Sequence, residues 1–335
     1  MSCGRATAAL LCTIVVGLAA AACGGDRGAL TIYSGRGENL VGPLLEQFAE
    51  SSGIDIDVRY GNSADLALLL AEEGDRTPAD VFYSQSPGAV GFLAREGLLE
   101  PIDEDALDAV DQRLRNESGL WVGVTGRQRV LVYNRDLVEP SELPASVFEL
   151  TEAQYRGRVA VAPENASFQD FVTAMRMLEG EETARAWLCA MDANDAPLYA
   201  NNNSIVAAVS RGEVEMGLVN HYYNFRFLAE DPQLPSRNHV FRGDVGALMI
   251  VSAATVIADT DQRDEAQQFI EFLLSEDAQR YFAEETFEYP LVPGVAPAAD
   301  LPPLASLDVP DYDIEQLGGN LRQTAALITE CGLVR

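Results

Sequence analysis

The sequence predicts an α/β protein with two lobes joined by a pair of hinge strands. Three observations support this prediction. A β-α-β-α-β series starts near Leu30, a second series starts near Tyr155, and the chain returns to the first lobe after Arg242. The 335 residues, of which 47% are hydrophobic, provide enough chain for two domains. A cleft between two such lobes is the natural place for a ligand.

Apolar spacing defines the elements of the first lobe. Ile54 to Tyr60 alternates apolar and polar residues as a strand does, whereas Leu40, Leu44 and Phe48 recur at helical spacing. A parallel sheet with right-handed crossovers follows from this alternation of strands and helices. In chain order, strands are predicted at 30–33, 54–60 and 79–84, and helices at about 40–52, 63–73 and 87–96.

The first hinge segment is predicted as two strand-like runs, 120–125 and 130–134, which Gly126-Arg127-Gln128-Arg129 interrupts. Arg127 and Arg129 lie two residues apart, so in an extended segment both side chains face the same way. Such a pair fits either a salt-bridged sheet face or a wall of the cleft.

The second series contains the same alternation of strands and helices. Asn165-Ala166-Ser167 is a plausible helix cap. Strands are predicted at 158–162, 215–219 and 246–257, and helices at 168–179, 182–191, 205–211, 264–274 and about 277–284. We therefore expect an N-terminal lobe of residues 30–126 plus about 250–305. The C-terminal lobe is expected to contain 127–249 plus about 306–335.

The first 22 residues have the pattern of a secretory signal peptide. Arg5 supplies a weak basic region, Ala8 to Ala22 is apolar and small, and the run stops at Cys23. The end of this segment looks like a bacterial lipoprotein signal, so we expect a lipid on Cys23 and an anchor linker over 23–29. The alternative is cleavage near Ala22 and release of a soluble protein. Either way the mature chain lies outside the cytoplasm, at the cell membrane or in the periplasm.

Two cysteines besides Cys23 remain after removal of the signal peptide, Cys189 and Cys331. In an oxidising compartment they could form a disulfide, but spacing alone does not establish that they meet.

Charge and composition exclude several classes of function. The formal net charge is −29, the isoelectric point is near 4.2, and all 23 basic residues are Arg. Such an acidic chain is a poor ligand for nucleic acid or for an anionic membrane surface. The chain has two histidines and no Gly-x-Ser-x-Gly segment, so neither zinc nor serine catalysis is expected. We therefore do not expect an enzyme.

Two adjacent tyrosines follow a short buried strand. The strand is predicted at 215–219, Tyr222 and Tyr223 occupy the turn after it, and helical character begins at Phe225. Ligands of open α/β sheets bind at the carboxyl ends of strands. The alternative is that both rings are ordinary interface aromatics whose hydroxyls find nearby partners.

The chain resembles the ferric-ion-binding proteins that serve bacterial ABC importers. Ordered landmarks over nearly the whole mature chain carry the resemblance: 32–36, 77–84, 126–130, 203–204, 220–223 and 288–291. The resemblance implies the type II periplasmic-binding-protein fold. It also implies capture of Fe(III) by a monomer that delivers it to a membrane permease and its ATPase.

The resemblance makes Tyr222 and Tyr223 the metal-binding pair. Fe(III) is a hard Lewis acid that favours anionic oxygen, and it can displace the proton of a phenol whose pKa is near 10. The chain departs from the family elsewhere. Gly37 stands where many members have a His ligand, and Gln85 where some have a Glu ligand. Glu38 and Gln85 are further candidate metal residues, although a Glu in the first turn of a helix also stabilises that helix.

In this family a synergistic anion, such as carbonate or phosphate, completes the coordination. The resemblance assigns it to Arg127, Ser167, Asn203 and Asn220, with backbone from Asn165 and Ala166 at a helix N-terminus and extra charge from Arg36. The departures leave alternatives open. One is a binding protein for another small solute, such as a phosphonate, thiamine or a polyamine, and a more distant one is a secreted hydrolase.

Overall fold

The computed structural model of the protein describes residue 1 and residues 28–298, 301–312 and 314–334. Cys23 and almost all of the predicted signal peptide lie outside these residues. Within them, the strands are β1 Leu30–Ser34, β2 Ile56–Tyr60, β3 Val81–Ser84, β4 Leu99–Glu100, β5 Val122–Asn134, β6 Val159–Ala160, β7 Met216–Asn220, β8 Ser236–His239, β9 Met249–Ile257 and β10 Tyr289–Pro290.

Helices cover both faces of these strands. Their bounds are α1 Glu38–Ser52, α2 Ser63–Glu73, α3 Pro87–Glu96, α4 Glu104–Asp108, α5 Ala166–Glu179, α6 Glu181–Ala193, α7 Asn202–Ser210, α8 His221–Glu230, α9 Arg263–Leu273, α10 Glu276–Glu284 and α11 Leu321–Glu330. The predicted helices 63–73 and 87–96 are therefore confirmed to the residue. No helix in the described part of the chain combines the length and the apolar character that a membrane span needs.

The strands follow the order β2-β1-β3-β9-β5-β7-β6. β1 pairs in parallel with β2 and β3, as the β-α-β rhythm predicts, and β9 then joins β3 antiparallel. On the far side of β5, β7 is antiparallel to β5 and β6 is parallel to β7. The result is the two-lobed α/β architecture that the sequence predicts.

The strand β5 is the physical link between the lobes. Its first half, up to Gln128, pairs with β9, and its second half, from Arg129, pairs with β7 and β8. The predicted interruption at 126–129 was wrong, since the strand is continuous over 13 residues. The buried arginines do not break it because their guanidiniums find oxygen partners: Arg127 faces Glu288, and Arg129 donates to the Leu218 carbonyl.

A second crossing runs beside β5 just before β9. The amide of Arg129 donates to the Leu248 carbonyl at 2.8 Å, which joins the two crossings by a backbone hydrogen bond. The lobes are thus connected by two adjacent chain segments, as expected for a hinge.

The C-terminal segment contacts both lobes. Residues 314–320 pack against α3 of the N-terminal lobe, and α11 packs against α5 of the C-terminal lobe. Thr324 and Thr173 share a hydrogen bond of 2.6 Å at the second contact. Cys331 forms a disulfide with Cys189 on α6, with 4.5 Å between the Cα atoms. This resolves the pairing that spacing alone left open.

The disulfide closes a loop of 142 residues and restricts the unfolded chain. We expect a Cys189→Ser/Cys331→Ser variant to lose roughly 2–4 kcal/mol of unfolding free energy, measured by urea denaturation. Dithiothreitol should destabilise the wild type by a similar amount and leave the double variant unchanged. Equal stability of the two proteins under oxidising conditions would contradict the prediction.

Candidate functional site

The two tyrosines lie in the first turn of a helix. β7 ends at Asn220 and α8 begins at His221. The predicted placement of Tyr222 and Tyr223 in a turn was therefore wrong, since both are helical. Their rings stack with centroids 4.1 Å apart and planes inclined by 30°. Tyr222 is 1% exposed and Tyr223 is 8% exposed. Two neighbouring phenols are therefore held side by side at a helix N-terminus.

Both tyrosines line a small cavity between the lobes, with a volume of about 90 Å³. The N-terminal lobe supplies the loop after β1, the start of α1 and the end of β3, and the C-terminal lobe supplies α7 and α8. The lining residues are Gly35, Arg36, Gly37, Asn39, Leu40, Gln85, Asn203, Tyr222, Tyr223 and Arg226. Of the predicted site residues, the fold thus brings Arg36, Gln85 and Asn203 to the tyrosines.

Direct contacts between the lobes close this cleft. The Gln85 side-chain amide donates to the Tyr223 hydroxyl at 3.1 Å. At another point, Asn62 at the start of α2 donates to the Glu164 carbonyl at 3.2 Å. The structure is therefore in a closed arrangement, with the two lobes in contact on either side of the tyrosines.

A buried ion pair fixes the wall next to Tyr222. Arg36 donates to the Glu288 carboxylate at 2.6 Å, and both side chains are at most 1% exposed. The other Glu288 oxygen lies 3.6 Å from Arg127 Nε, and Arg127 also donates to the Gln85 carbonyl. The Arg36 guanidinium lies 5.9 Å from the centre of the Tyr222 ring. One carboxylate thus positions two arginines around the tyrosine pair.

Burial raises the pKa of Tyr222 well above its ordinary value, and the adjacent Tyr223 raises it further. The Arg36 guanidinium opposes both effects but does not overcome them. Tyr222 is therefore a neutral phenol at pH 7 until a cation with a strong affinity for oxygen displaces its proton.

A second polar cluster lies beneath the tyrosines, in the C-terminal lobe. Asn165 caps α5 and accepts from the Ser167 amide at 3.1 Å and from the Ser167 hydroxyl at 2.6 Å. Arg129 reaches Ser167 at 3.5 Å and the Asn220 side-chain oxygen at 3.4 Å, and Asn202 reaches both Asn165 and Ser167 at 3.4 Å. Ala166 is the buried first residue of α5.

Several donors of this region are buried without a hydrogen-bond partner among the described residues: Arg127 Nε and Nη1, Gln128 Nε2, Arg129 Nε and Asn220 Nδ2. Buried donors in folded proteins are normally paired, so a cluster of unpaired ones is unusual. Guanidinium and amide donors beside the N-terminus of α5 are chemically suited to an oxyanion.

Asp170 joins this cluster to the opposite lobe. It lies on α5, is 2% exposed, and its carboxylate accepts from the Ser86 hydroxyl just before α3. A Cβ atom added to Gly88 in the first turn of α3 would lie 2.5 Å from Asp170 Oδ1. The two helices therefore meet only because residue 88 has no side chain. Burial raises the pKa of Asp170 to about 7, although Ser86, Arg127 and Arg129 each act to lower it.

Two further residues considered in the sequence face elsewhere. Glu38 is exposed at the start of α1 and does not line the cavity. His221 is buried, and its ring accepts from the Gln128 amide at 3.0 Å and donates to the Phe287 carbonyl at 2.8 Å. Burial lowers its pKa to about 4, so the ring is neutral and joins the hinge strand to the segment before β10.

Sequence reasoning did not single out Arg226, Asn202 or Asp170 as site residues. Arg226 lies four positions after Tyr222, which on a helix places both on one face, so its spacing was a usable signal. Asn202 directly precedes the predicted Asn203. Asp170 carries no local signal, because its partners are distant in sequence.

The donor set fits a hard cation bound by phenolate. Within the described part of the chain, no group of three or more His, Cys, Asp or Glu side chains is arranged to hold a metal. Of the side chains that line this cavity, only the two phenols can supply an anionic oxygen.

Comparison with known proteins places these features in context. Residues 76–315 match the family model described as bacterial extracellular solute-binding protein. The chain is 32% identical over 331 residues to the Fe(3+)-binding periplasmic protein of Serratia marcescens, covering 98% of this chain and 97% of that one. It is also 32% identical over 289 residues to the major ferric iron-binding protein of Neisseria meningitidis serogroup A, covering 84% and 86%.

The three-dimensional structure also resembles that of a known iron-binding protein. The crystal structure of iron-bound HitA from Pseudomonas aeruginosa superposes with a TM-score of 0.87 at 34% identity. The match covers 91% of this chain and 99% of that one. It confirms the predicted periplasmic-binding-protein fold.

The raised pKa of Asp170 predicts a specific pH dependence of stability. Its pKa is about 7 in the folded protein and 3.8 in a model peptide, so its contribution is fully present below pH 4 and is lost as the pH rises through 7. We expect the wild type to lose up to about 4 kcal/mol relative to Asp170→Asn between pH 4 and 8. Urea denaturation of both metal-free proteins across this range tests it. Parallel pH profiles would show that Asp170 is charged throughout.

Proposed function

This chain belongs to the bacterial extracellular solute-binding protein family, in the group of periplasmic ferric-ion-binding proteins. On that premise we propose that it captures Fe(III) with a small anion between its two lobes and delivers it to a membrane permease. Periplasmic binding proteins of this kind work with ABC transporter permeases. The observation that carries the proposal is the stacked pair Tyr222 and Tyr223, which faces a small cavity at a helix N-terminus.

Two phenolates are suitable ligands for Fe(III). Ferric ion prefers anionic oxygen, and its charge supplies the free energy needed to remove protons from buried phenols. The N-terminal end of α8 and the guanidinium of Arg36 stabilise the resulting negative charge. Iron binding therefore releases protons and should strengthen as the pH rises.

An exogenous anion completes the proposed coordination. Gln85 and Asn203 line the cavity as neutral amides and cannot replace the His and Glu ligands of other members. The unpaired donors of Arg127 and Asn220, beside the capped N-terminus formed by Asn165, Ala166 and Ser167, support binding of carbonate or phosphate. In this proposal Gln85 orients the Tyr223 hydroxyl rather than binding the metal directly.

The dimensions of the cavity disfavour the alternative solutes. Pockets for organic ligands usually have volumes of about 300–1,000 Å³, and this one encloses about 90 Å³. Thiamine or a polyamine would not fit in the closed arrangement. A hydrolase would need a free catalytic base, yet both His221 and His239 are hydrogen-bonded to backbone carbonyls. We therefore propose a binding protein without catalytic activity.

Closure of the lobes is proposed to retain the iron until delivery. The contacts Gln85–Tyr223, Asn62–Glu164 and Ser86–Asp170 join opposite lobes, so opening about β5 would break all three. We propose that the permease recognises the closed form. A lipid on Cys23, supported by the sequence pattern alone, would keep the protein near its transporter.

Loss of either phenol should remove most of the iron affinity. We expect Tyr222→Phe and Tyr223→Phe each to weaken Fe(III) binding by more than about 100-fold. Such a loss exceeds that typical of residues that only hydrogen-bond to a metal ligand. The double variant should be colourless. The measurement is the visible phenolate-to-iron charge-transfer band in a titration with ferric citrate. Tyr199→Phe, at a half-buried tyrosine that lines a different pocket, is the control and should bind normally. A wild type that stays colourless with stoichiometric iron would refute the proposed function.

A side chain at position 88 should hinder closure. The methyl group of Gly88→Ala would overlap the Asp170 carboxylate, which we estimate to cost about 1–3 kcal/mol in the closed form. Iron should then dissociate to a chelator roughly 5- to 100-fold faster, while the charge-transfer spectrum keeps its wild-type position.

Gly42→Ala in α1 is the matched control for that experiment, since its new methyl group meets only Glu38 at an ordinary 3.6 Å. Identical release rates for the two variants would show that the α3–α5 contact does not limit opening.

A further inference from the structure

The cavity is lined by two guanidiniums from opposite lobes. Arg36 follows β1 in the N-terminal lobe, and Arg226 lies on α8 in the C-terminal lobe, on the same helix as the two tyrosines. The cavity wall contains no carboxylate and no imidazole among the residues that line it. Its charged groups are therefore all cationic before any ligand is considered.

The two arginines differ in how their charge is compensated. Arg36 is paired with Glu288 at 2.6 Å. Arg226 is half-buried and lies close enough to interact electrostatically with Tyr281 on α10, across the cleft. None of the ion pairs between described residues includes Arg226, although Glu285 and Glu288 also act on Tyr281. Its guanidinium thus lines the cavity without a direct ion-pair partner among the described residues.

The loaded site would carry a substantial positive charge. Two phenolates leave one positive charge of a ferric ion, Arg226 adds a second, and the group of Arg36, Arg127 and Glu288 adds a third. Enclosing like charges in a cleft from which water is excluded is strongly unfavourable unless they are compensated. A monovalent anion leaves most of this charge in place, whereas an anion with two or more charges compensates it.

The size of the cavity sets an upper limit on that anion. A volume of about 90 Å³ accommodates an ion of the size of phosphate or carbonate but not a multidentate hydroxycarboxylate. The planar, two-pronged guanidinium is also the side chain best matched to the oxygens of such ions.

We propose that Arg226, acting opposite Arg36, is the residue that selects a small, multiply charged oxyanion as the co-ligand of the bound iron. This inference rests on the proposed function and deepens it. It assigns the side of the anion that faces away from the iron to Arg226, which lies on α8 with the two tyrosines. Arg226 then compensates for the missing carboxylate and imidazole ligands: it binds the anion that occupies their coordination positions.

The test compares two anions on the same protein. Wild type and Arg226→Gln are freed of metal and anions, and Fe(III) affinity is measured from the charge-transfer band with inorganic phosphate or with acetate as the only added anion. We expect Arg226→Gln to lower affinity in phosphate by at least about tenfold, the effect of one lost charge-assisted contact. Affinity in acetate should stay the same or rise, because the variant removes one of the like charges that acetate leaves uncompensated. Arg226→Lys, which keeps the charge, should retain part of the preference for phosphate.

Arg211→Gln is the matched control, since it removes an equal charge from an exposed arginine that is paired with Glu213 far from the cleft. An unchanged phosphate-to-acetate ratio in Arg226→Gln would overturn the inference, and so would an equal loss in both anions. Absence of the band in wild type with every anion would instead refute the proposed function.

Discussion

The buried carboxylate of Glu288 is the constraint on which the binding site depends. It receives Arg36 from the loop after β1 and faces Arg127 on the hinge strand, and Thr286 donates to it at 3.1 Å. Removal of one partner from such a group leaves a buried charge uncompensated, which typically destabilises a protein by about 3–5 kcal/mol. Since Arg127 also holds the Gln85 carbonyl, the same carboxylate positions residues on both sides of the tyrosines.

Local sequence patterns predicted most of the fold and the centre of the site. Helices such as 63–73 have regular apolar spacing and clear caps, and the tyrosine pair followed a recognisable buried strand. The continuous strand β5 was missed because Gly126 to Arg129 has no apolar pattern. Its strand conformation depends on backbone pairing with β9 and β7, which are distant in sequence. Arg36 and Glu288 are 252 residues apart, so no local signal could have paired them.

The distribution of charge within the molecule is uneven in a way that its net charge conceals. The chain carries a formal charge of −29, yet the groups that meet in the cleft are mainly arginines, amides and phenols. An acidic exterior attracts cations from a distance, and a cationic interior favours the anion that accompanies them. The negative exterior therefore acts on the iron at long range, and the positive cleft acts on the anion at short range.

The C-terminal segment has a consequence for the energetics of binding. It packs on α3 in one lobe, and the disulfide between Cys331 and Cys189 fixes it to the other. It thus forms a third connection between the two lobes, which the hinge segments already join twice. This third connection reduces the number of open conformations available to the empty protein. A receptor with fewer open conformations loses less entropy when it closes. We therefore expect the tail, which supplies none of the residues that line the cavity, to preorganise the cleft.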